Sequence, residues 1–493
     1  MKPSTDPQSR PSLGKGWSRL VTTVALVFGI VQAVALPARA QVTADSQHSY
    51  AHAIEQGQRI LPAFIEEVPM PGLSVAVAVD GKIVWSEGFG YANLETRQPV
   101  TPLTKFRIAS VSKPITAAAA GLLAEQGILD LEAPIQNYVP EFPDKGAPIT
   151  ASQLARHLGG VRHTTQAEVL STKHYPTTRS AVAMFADDDL LFAPGESRSY
   201  TTLGYTLLGA AMASAAETDF ATLMRERVFE PLGMRHTLPD NQQQIIPNRS
   251  GLYAYDNDED LNLINAPLTD HSYKIPGGGF LSTAEDLVRF GSALLEPGFL
   301  NRESLDLIFS PSQFNDGKTH NYSMGWTIRE DNHDRQVYGH GGNQPGGRCY
   351  LLLYPDSGVV IAMLTNVYRG VIGRAEAQLI AEPFVRIKEG HPPQSRTIDP
   401  EGTYELVARR GLQKANGIIS IWEVRDRLEG SLAFEGRQHA LPLIAVSGNQ
   451  IRAMGYDKRL MVFNMTVEDG KVTGNTVNGS RPPIGFEGVK LDE

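Results

Sequence analysis

The sequence predicts an α+β protein with a helical insertion and a small all-β domain at its C-terminal end. Three observations carry this. Apolar strand-like runs stand at residues 73–79 and again after residue 320. The stretch between, about 112–310, follows mostly helical spacing. Past residue 400 the pattern becomes short strands separated by polar turns. Strands that flank a helical middle must pair across the chain, so they form one antiparallel sheet covered by helices.

The elements follow in order. Residues 50–62 suit an amphipathic helix. Residues 73–79 form a strand, Asp80-Gly81 a hairpin turn, and the return strand starts at 83–85. Helical segments are expected at 115–125, 153–157, 180–185, 204–215, 220–228 and 284–295, the last opened by a capping box in Ser282-Thr283-Ala284-Glu285. Strands are expected at 322–329, 336–340, 349–354 and 359–366, with Pro355-Asp356-Ser357-Gly358 turning between the last two. A terminal helix covers about 371–388. Residues 389–400 read as a linker, and 401–493 as a barrel or sandwich with strands at 417–424, 427–434, 450–454 and 460–467.

The 493 residues bound the chain at two or three units. Hydrophobic content of 41% with 20% charged residues excludes a disordered chain. Formal charge is -9, and residues 1–40 carry five cations against Asp6, so the remainder is more acidic still. That balance argues against a nucleic-acid partner, which needs clustered cations. Residues 1–40 read as a secretory signal: a basic stretch through Arg19, an apolar run over 20–36, then Ala38-Arg39-Ala40 as a cleavage site. An uncleaved anchor is the competing reading, although the run is short for a span and interrupted by Gln32. The expected location is therefore periplasmic or secreted, with no stable membrane span once the signal is cut. Cys349 is the only cysteine, so no internal disulfide forms, and its apolar surroundings make it a packing residue.

Ser110 and Lys113 lie three positions apart at the head of an Ala-rich helix, which puts them on one face. A serine hydroxyl needs a neighbour to take its proton, and a lysine with a lowered pKa can do so. The same spacing recurs at Ser12 and Lys15, so the pattern alone does not decide. Tyr200-Thr201-Thr202 and His340-Gly341-Gly342 follow in order. Tyr200 is a candidate proton shuttle, held partly ionised beside the lysine. Tyr91-Ala92-Asn93, Tyr175-Pro176-Thr177 and Tyr255-Asp256-Asn257 share its spelling, and His157-Leu158-Gly159 rivals His340 from a probable helix. No metal-ligand spacing stands out among the twelve histidines, and neither metal nor cofactor is expected.

With these motifs in this order, the chain resembles the serine β-lactamase-like hydrolases over residues 50–385. That superfamily includes class C β-lactamases, D-Ala-D-Ala carboxypeptidases, D-aminopeptidases and some carboxylesterases. Val139-Pro140-Glu141-Phe142, Phe229-Glu230-Pro231-Leu232-Gly233-Met234 and Gly278-Gly279-Phe280-Leu281-Ser282-Thr283 are similar to its recurring segments. The resemblance implies a β-lactamase/transpeptidase-like fold over 41–388 and a lipocalin-like barrel after it. It also implies Ser110 as the acylated nucleophile, Lys113 as its proton partner and Tyr200 as general acid/base. Thr202 would bond substrate or lysine, and the backbone N–H groups of Ser110 and of Asn343, after Gly342, would form the oxyanion hole. His340 stands where these enzymes usually carry lysine, so carboxylate binding there would depend on pH. Thr202 replaces a common asparagine. Both departures tilt the expectation from efficient β-lactam turnover toward a peptidase or esterase. The function expected is an exported serine hydrolase acting through an acyl-enzyme on an amide or ester: a D-amino-acid peptide, another peptide or a β-lactam. The alternatives are a carboxylesterase with the same Ser-Lys-Tyr machinery, a sensor that is acylated without turnover, and an assembly protein built on this fold. The expected partner is a small-molecule or peptide substrate.

Overall fold

The computed structural model describes residues 44–256, 261–331, 333–391, 399–410, 413–424, 427–434, 437–456, 460–477 and 485–491. The expected signal, 1–40, and most of the expected linker, 392–398, lie outside the described residues. Helix α1 (Ala44–Glu67) leads into strands β1 (Gly72–Val79) and β2 (Lys82–Asn93). Asp80 and Gly81 between them both take positive φ, 48° and 74°, as a tight hairpin turn requires. Edge strand β3 (Gln98–Pro99) follows, then helices α2 (Ser112–Glu125), α3 (Thr202–Ala215) and α4 (Ala284–Ala293). Strands β4 (Thr327–Glu330), β5 (Gln336–Gln344), β6 (Gly347–Tyr354) and β7 (Val359–Thr365) and helix α5 (Arg374–Lys388) complete the unit. The sheet order is β4-β5-β6-β7-β1-β2-β3 with every pair antiparallel, so the early strands and the late strands of this unit join where β7 pairs with β1.

Burial explains why β1 and β7 read as continuous apolar runs. Ala76 and Ala78 of β1 face one core with Val360, Ala362 and Leu364 of β7. Leu73, Val75, Val77 and Val79 face a second core with Val359, Ile361 and Met363. Side chains alternate across a pleat, and here both faces are covered: α2, α3 and α4 lie on the first, α1 and α5 on the second. Each fully buried valine or leucine contributes roughly 1.5–3 kcal/mol. Helix α2 is buried from Ser112 through Leu123 and runs through the first core, which its small alanines permit.

Two local expectations are corrected. The 322–329 strand begins only at Thr327. Gly325, at φ 78°, lies so close to α2 that a Cβ there would stand 2.9 Å from Pro114 Cα, and the chain turns at that point. The cap of α4 is Thr283, whose hydroxyl accepts from the Asp286 N–H at 3.2 Å, one residue later than the expected Ser282 box.

The C-terminal domain is a closed, antiparallel, eight-stranded barrel in which each strand pairs with the next. Its strands are β8 (Gly402–Arg410), β9 (Gln413–Val424), β10 (Arg427–Phe434), β11 (Arg437–Ser447), β12 (Gln450–Tyr456), β13 (Leu460–Glu468), β14 (Lys471–Val477) and β15 (Gly485–Lys490). Pairing of β15 with β8 closes it around Tyr404, Leu406, Ile419, Phe463 and Phe486.

Candidate active site

Ser110 sits in a 3₁₀ turn, Ala109–Val111, that feeds directly into α2. Ala109 takes φ 46°, a left-handed conformation that costs a non-glycine residue roughly 1 kcal/mol and lifts the next residue out of the helix. The turn leaves Ser110 partly accessible while Lys113, one turn on, is fully buried.

Lys113 Nζ has three oxygen partners: Ser110 Oγ at 3.2 Å, Thr202 Oγ1 at 3.2 Å and the Gly277 carbonyl at 2.5 Å. Burial, reinforced by the positive field of Lys274, drives its pKa well below that of a free lysine. A neutral amine has two N–H groups and one lone pair. The Gly277 carbonyl can only accept, so Lys113 donates to it, and in its neutral form the amine can donate to Thr202 and turn its lone pair to the Ser110 proton.

Tyr200 precedes the N-terminus of α3, where Thr201 caps the helix by accepting from the Gly204 N–H at 3.1 Å. Its ring lies 4.7 Å from Lys113 Nζ, and its hydroxyl is hydrogen-bonded to the Ser110 side chain. Burial pushes the phenol above its ordinary value, outweighing the Ser110 bond and the field of Arg198. The expectation of a partly ionised tyrosine is therefore corrected: burial favours the protonated phenol.

His340 ends differently from its expected part. Its Nε2 lies 3.1 Å from the Tyr322 hydroxyl and its Nδ1 2.8 Å from the Gly341 carbonyl. Tyr322 in turn lies 3.1 Å from His157 Nε2, whose Nδ1 accepts from the Thr201 N–H at 3.2 Å. Directions follow from the ends of this chain. The Thr201 amide must donate, so His157 is protonated on Nε2 and donates to Tyr322. The tyrosine then donates to His340 Nε2, and His340 Nδ1 donates to the carbonyl. Both rings are neutral, and burial with the field of Lys113 lowers the His340 pKa to about 3. Neither a charge nor a free ring nitrogen remains for a substrate carboxylate, which corrects the pH-dependent role expected of His340.

Strand β5 runs past its partner: β4 pairs with it only as far as Gly339, so residues 340–344 pair on one side alone, with β6. The Ser110 turn packs along this stretch. A Cβ on Gly342 would fall 2.2 Å from the Ile108 carbonyl and 3.1 Å from Ala109 Cβ, so only glycine allows the approach. Asn343 is exposed, and its side-chain oxygen accepts from the Arg369 N–H at 3.0 Å.

Thus Ser110, Lys113, Tyr200 and Thr202 converge, Gly342 abuts the turn, and His340 stands behind Tyr200. Sequence reasoning missed Tyr322, Gly277, Lys274 and Gln344. It also set His157 aside as a rival, whereas it lies just beyond a short helix at φ 62° and is fully buried against the Tyr200 ring.

The family model described as Beta-lactamase matches residues 58–383. Human serine beta-lactamase-like protein LACTB, mitochondrial, is 29% identical over 428 residues, covering 64% of this chain and 77% of that protein. Penicillin-binding protein 4* of Bacillus subtilis is 28% identical over 331 residues, covering 63% and 73%. Among solved structures, the octameric penicillin-binding protein homologue from Pyrococcus abyssi shares the fold at TM-score 0.59 and 22% identity, covering 87% of this chain and 99% of its own. The hydrolase EstCE1 does so at TM-score 0.57 and 22% identity, covering 70% and 99%.

Proposed function

The chain belongs to the beta-lactamase family of serine hydrolases, and on that premise we propose that it hydrolyses a peptide amide through an acyl-enzyme on Ser110. One contact carries this reading: the buried Lys113 amine, its pKa lowered by burial and by the field of Lys274, lies 3.2 Å from the Ser110 hydroxyl. Ser110 Oγ attacks the carbonyl carbon while its proton passes to Lys113 Nζ. As the C–N bond breaks, the leaving amine takes a proton from Tyr200, which Lys113 replenishes. Water then attacks the ester by the reverse relay, giving the free acid and restoring Ser110. The negative oxygen formed at each step would be held by the backbone N–H groups of Ser110 and Asn343. The reading includes export, which rests on the sequence of residues 1–40.

An esterase uses the same relay with an alcohol leaving group, and the likeness in fold to EstCE1 favours keeping it as the second reading. A panel of nitrocefin, a D-Ala-D-Ala peptide, a D-amino-acid amide, an L-peptide anilide and a short-chain nitrophenyl ester separates them. Peptide or amide turnover that Ser110→Ala abolishes is the expected result. Turnover of the ester alone selects the esterase, and a stable Ser110 adduct with no product selects the sensor.

A further inference from the structure

We propose that Arg348 is a positioning residue for acyl transfer. With Asn343, its partner across the β5–β6 ladder, it clasps residues 366–373 and so holds the Asn343 N–H where the oxyanion forms. The inference rests on the serine-hydrolase reading above and goes beyond it by naming what fixes the oxyanion hole.

The phase of the ladder sets the direction of the Asn343 amide. A two-residue turn, Pro345-Gly346 with Gly346 at φ 77°, joins β5 to β6, and Gln344 pairs with Gly347. The pair that closes such a hairpin exchanges backbone hydrogen bonds, and bonded and non-bonded pairs alternate from there. Asn343 and Arg348 form the next pair, which is non-bonded. The Asn343 N–H therefore points away from β6, off the edge that β4 leaves open beyond Gly339. The same phase brings the two side chains close, with Cα atoms about 4.5 Å apart, on one face. Cys349, Leu351 and Leu353 face the first core and Leu352 and Tyr354 the second. Alternation thus sends Arg348 and Asn343 to the second face, where residues 366–373 cross from β7 to α5.

That crossing segment is itself anchored. Asn366 Oδ1 accepts from the Gly72 N–H at 2.9 Å, and its Nδ2 donates to the Tyr91 and Ala92 carbonyls at 3.2 Å. The Tyr368 N–H donates to the Tyr253 carbonyl at 2.9 Å, and Val367 and Ile372 are buried. Both members of the strand pair reach it. Arg369, at φ 61°, turns its N–H to Asn343 Oδ1 at 3.0 Å. Arg348 Nε donates to the Ile372 carbonyl. A Cβ on Gly373 would stand 3.6 Å from Arg348 Nη2 and 3.1 Å from Glu376 Oε2, so the guanidinium lies against the first turn of α5. The clasp thus ties the open-edged end of β5 to a fixed segment through two side chains. Position matters because an oxyanion donor works only when aimed at the developing charge, and a misplacement of about 1 Å can cost about 10²-fold in rate.

The test uses the full chain with Arg348→Met and Asn343→Ala, singly and together; the alanine keeps the backbone N–H and loses only the tether. On an amide or ester that the wild type turns over, each single variant should lose about tenfold or more in kcat, with KM within about twofold. A peptide boronic acid, which mimics the tetrahedral adduct, should bind more weakly by a similar factor. The double variant should lose little more than the worse single one, because both act through one segment. Folded single variants with wild-type kcat and boronate affinity overturn the proposal, and so do losses that multiply in the double variant. Where Arg348→Met does not fold, Asn343→Ala decides on the same two readings. If the wild type neither labels with a fluorophosphonate nor cleaves any substrate, the hydrolase reading fails. The clasp is then decided by hydrogen exchange over residues 336–347: exchange at least about tenfold faster in the folded variants upholds it, and equal exchange overturns it.

Discussion

The Tyr322 hydroxyl lies 3.1 Å from His340 Nε2, and this bond determines what His340 can do. It fills the one ring nitrogen that could face a substrate and fixes the imidazole as neutral. Tyr322→Phe removes the hydroxyl and leaves His340 and His157 each with a buried, unpaired nitrogen. Equilibrium urea unfolding should then show a loss of about 2–4 kcal/mol.

The buried histidines also set an acid limit. His340, His157 and His271 all have pKa values lowered, chiefly by burial. Between the ordinary value of 6.5 and the folded value, about 3 for His340, the unfolded chain binds protons that the native fold refuses. The contribution of these histidines is therefore complete above pH 6.5 and falls as pH drops, by about 1.4 kcal/mol per pH unit for each such histidine. Melting temperatures taken from pH 7 to pH 4 should decline steeply. His340→Asn, which cannot gain the proton, should flatten the slope.

Tyr200→Phe keeps the ring over Lys113 and removes the hydroxyl bonded to Ser110. A proton carried to the leaving group acts in the transition state, so kcat should fall by about 10²–10⁴ with KM little changed. Steady-state kinetics on any turned-over amide reads this, and an unchanged kcat removes Tyr200 from the relay.

Gly342→Ala forces a Cβ against the Ile108 carbonyl and Cys349 Sγ, 2.2 and 2.7 Å away as the backbone stands. Strand β5 or the Ser110 turn must shift, at about 1–3 kcal/mol of stability. Acylation should slow by at least about tenfold, because the shift moves the nucleophile relative to the strand. Phosphonate labelling rates beside thermal melts give both numbers.

The sequence made the main layers legible because hydrophobic period and turn chemistry are local signals. Residues 73–79 with Asp80-Gly81, and the alanine-rich run after Ser110, lie within a residue or three of the observed elements. Half of the barrel strands were missed, among them Gly402–Arg410 and Gly485–Lys490, where the charged ends Arg409, Arg410 and Lys490 hide the alternation. The reacting groups were legible as motifs because acyl transfer needs those side chains at those spacings. Their surroundings were not. Tyr322 was read as part of a strand, and His157 as part of a helix, because positive φ at His157 and the turn at Gly325 are imposed by tertiary packing. Lys274 looks like an ordinary surface lysine until the fold buries it.

Activation of Ser110 by Lys113 is read from intact-protein mass spectrometry of fluorophosphonate labelling over time. One adduct is expected, mapped to Ser110, absent in Ser110→Ala, and formed at least about 10³-fold more slowly in a folded Lys113→Met protein. Labelling of Lys113→Met at the wild-type rate, or an adduct at any residue other than Ser110, would contradict it.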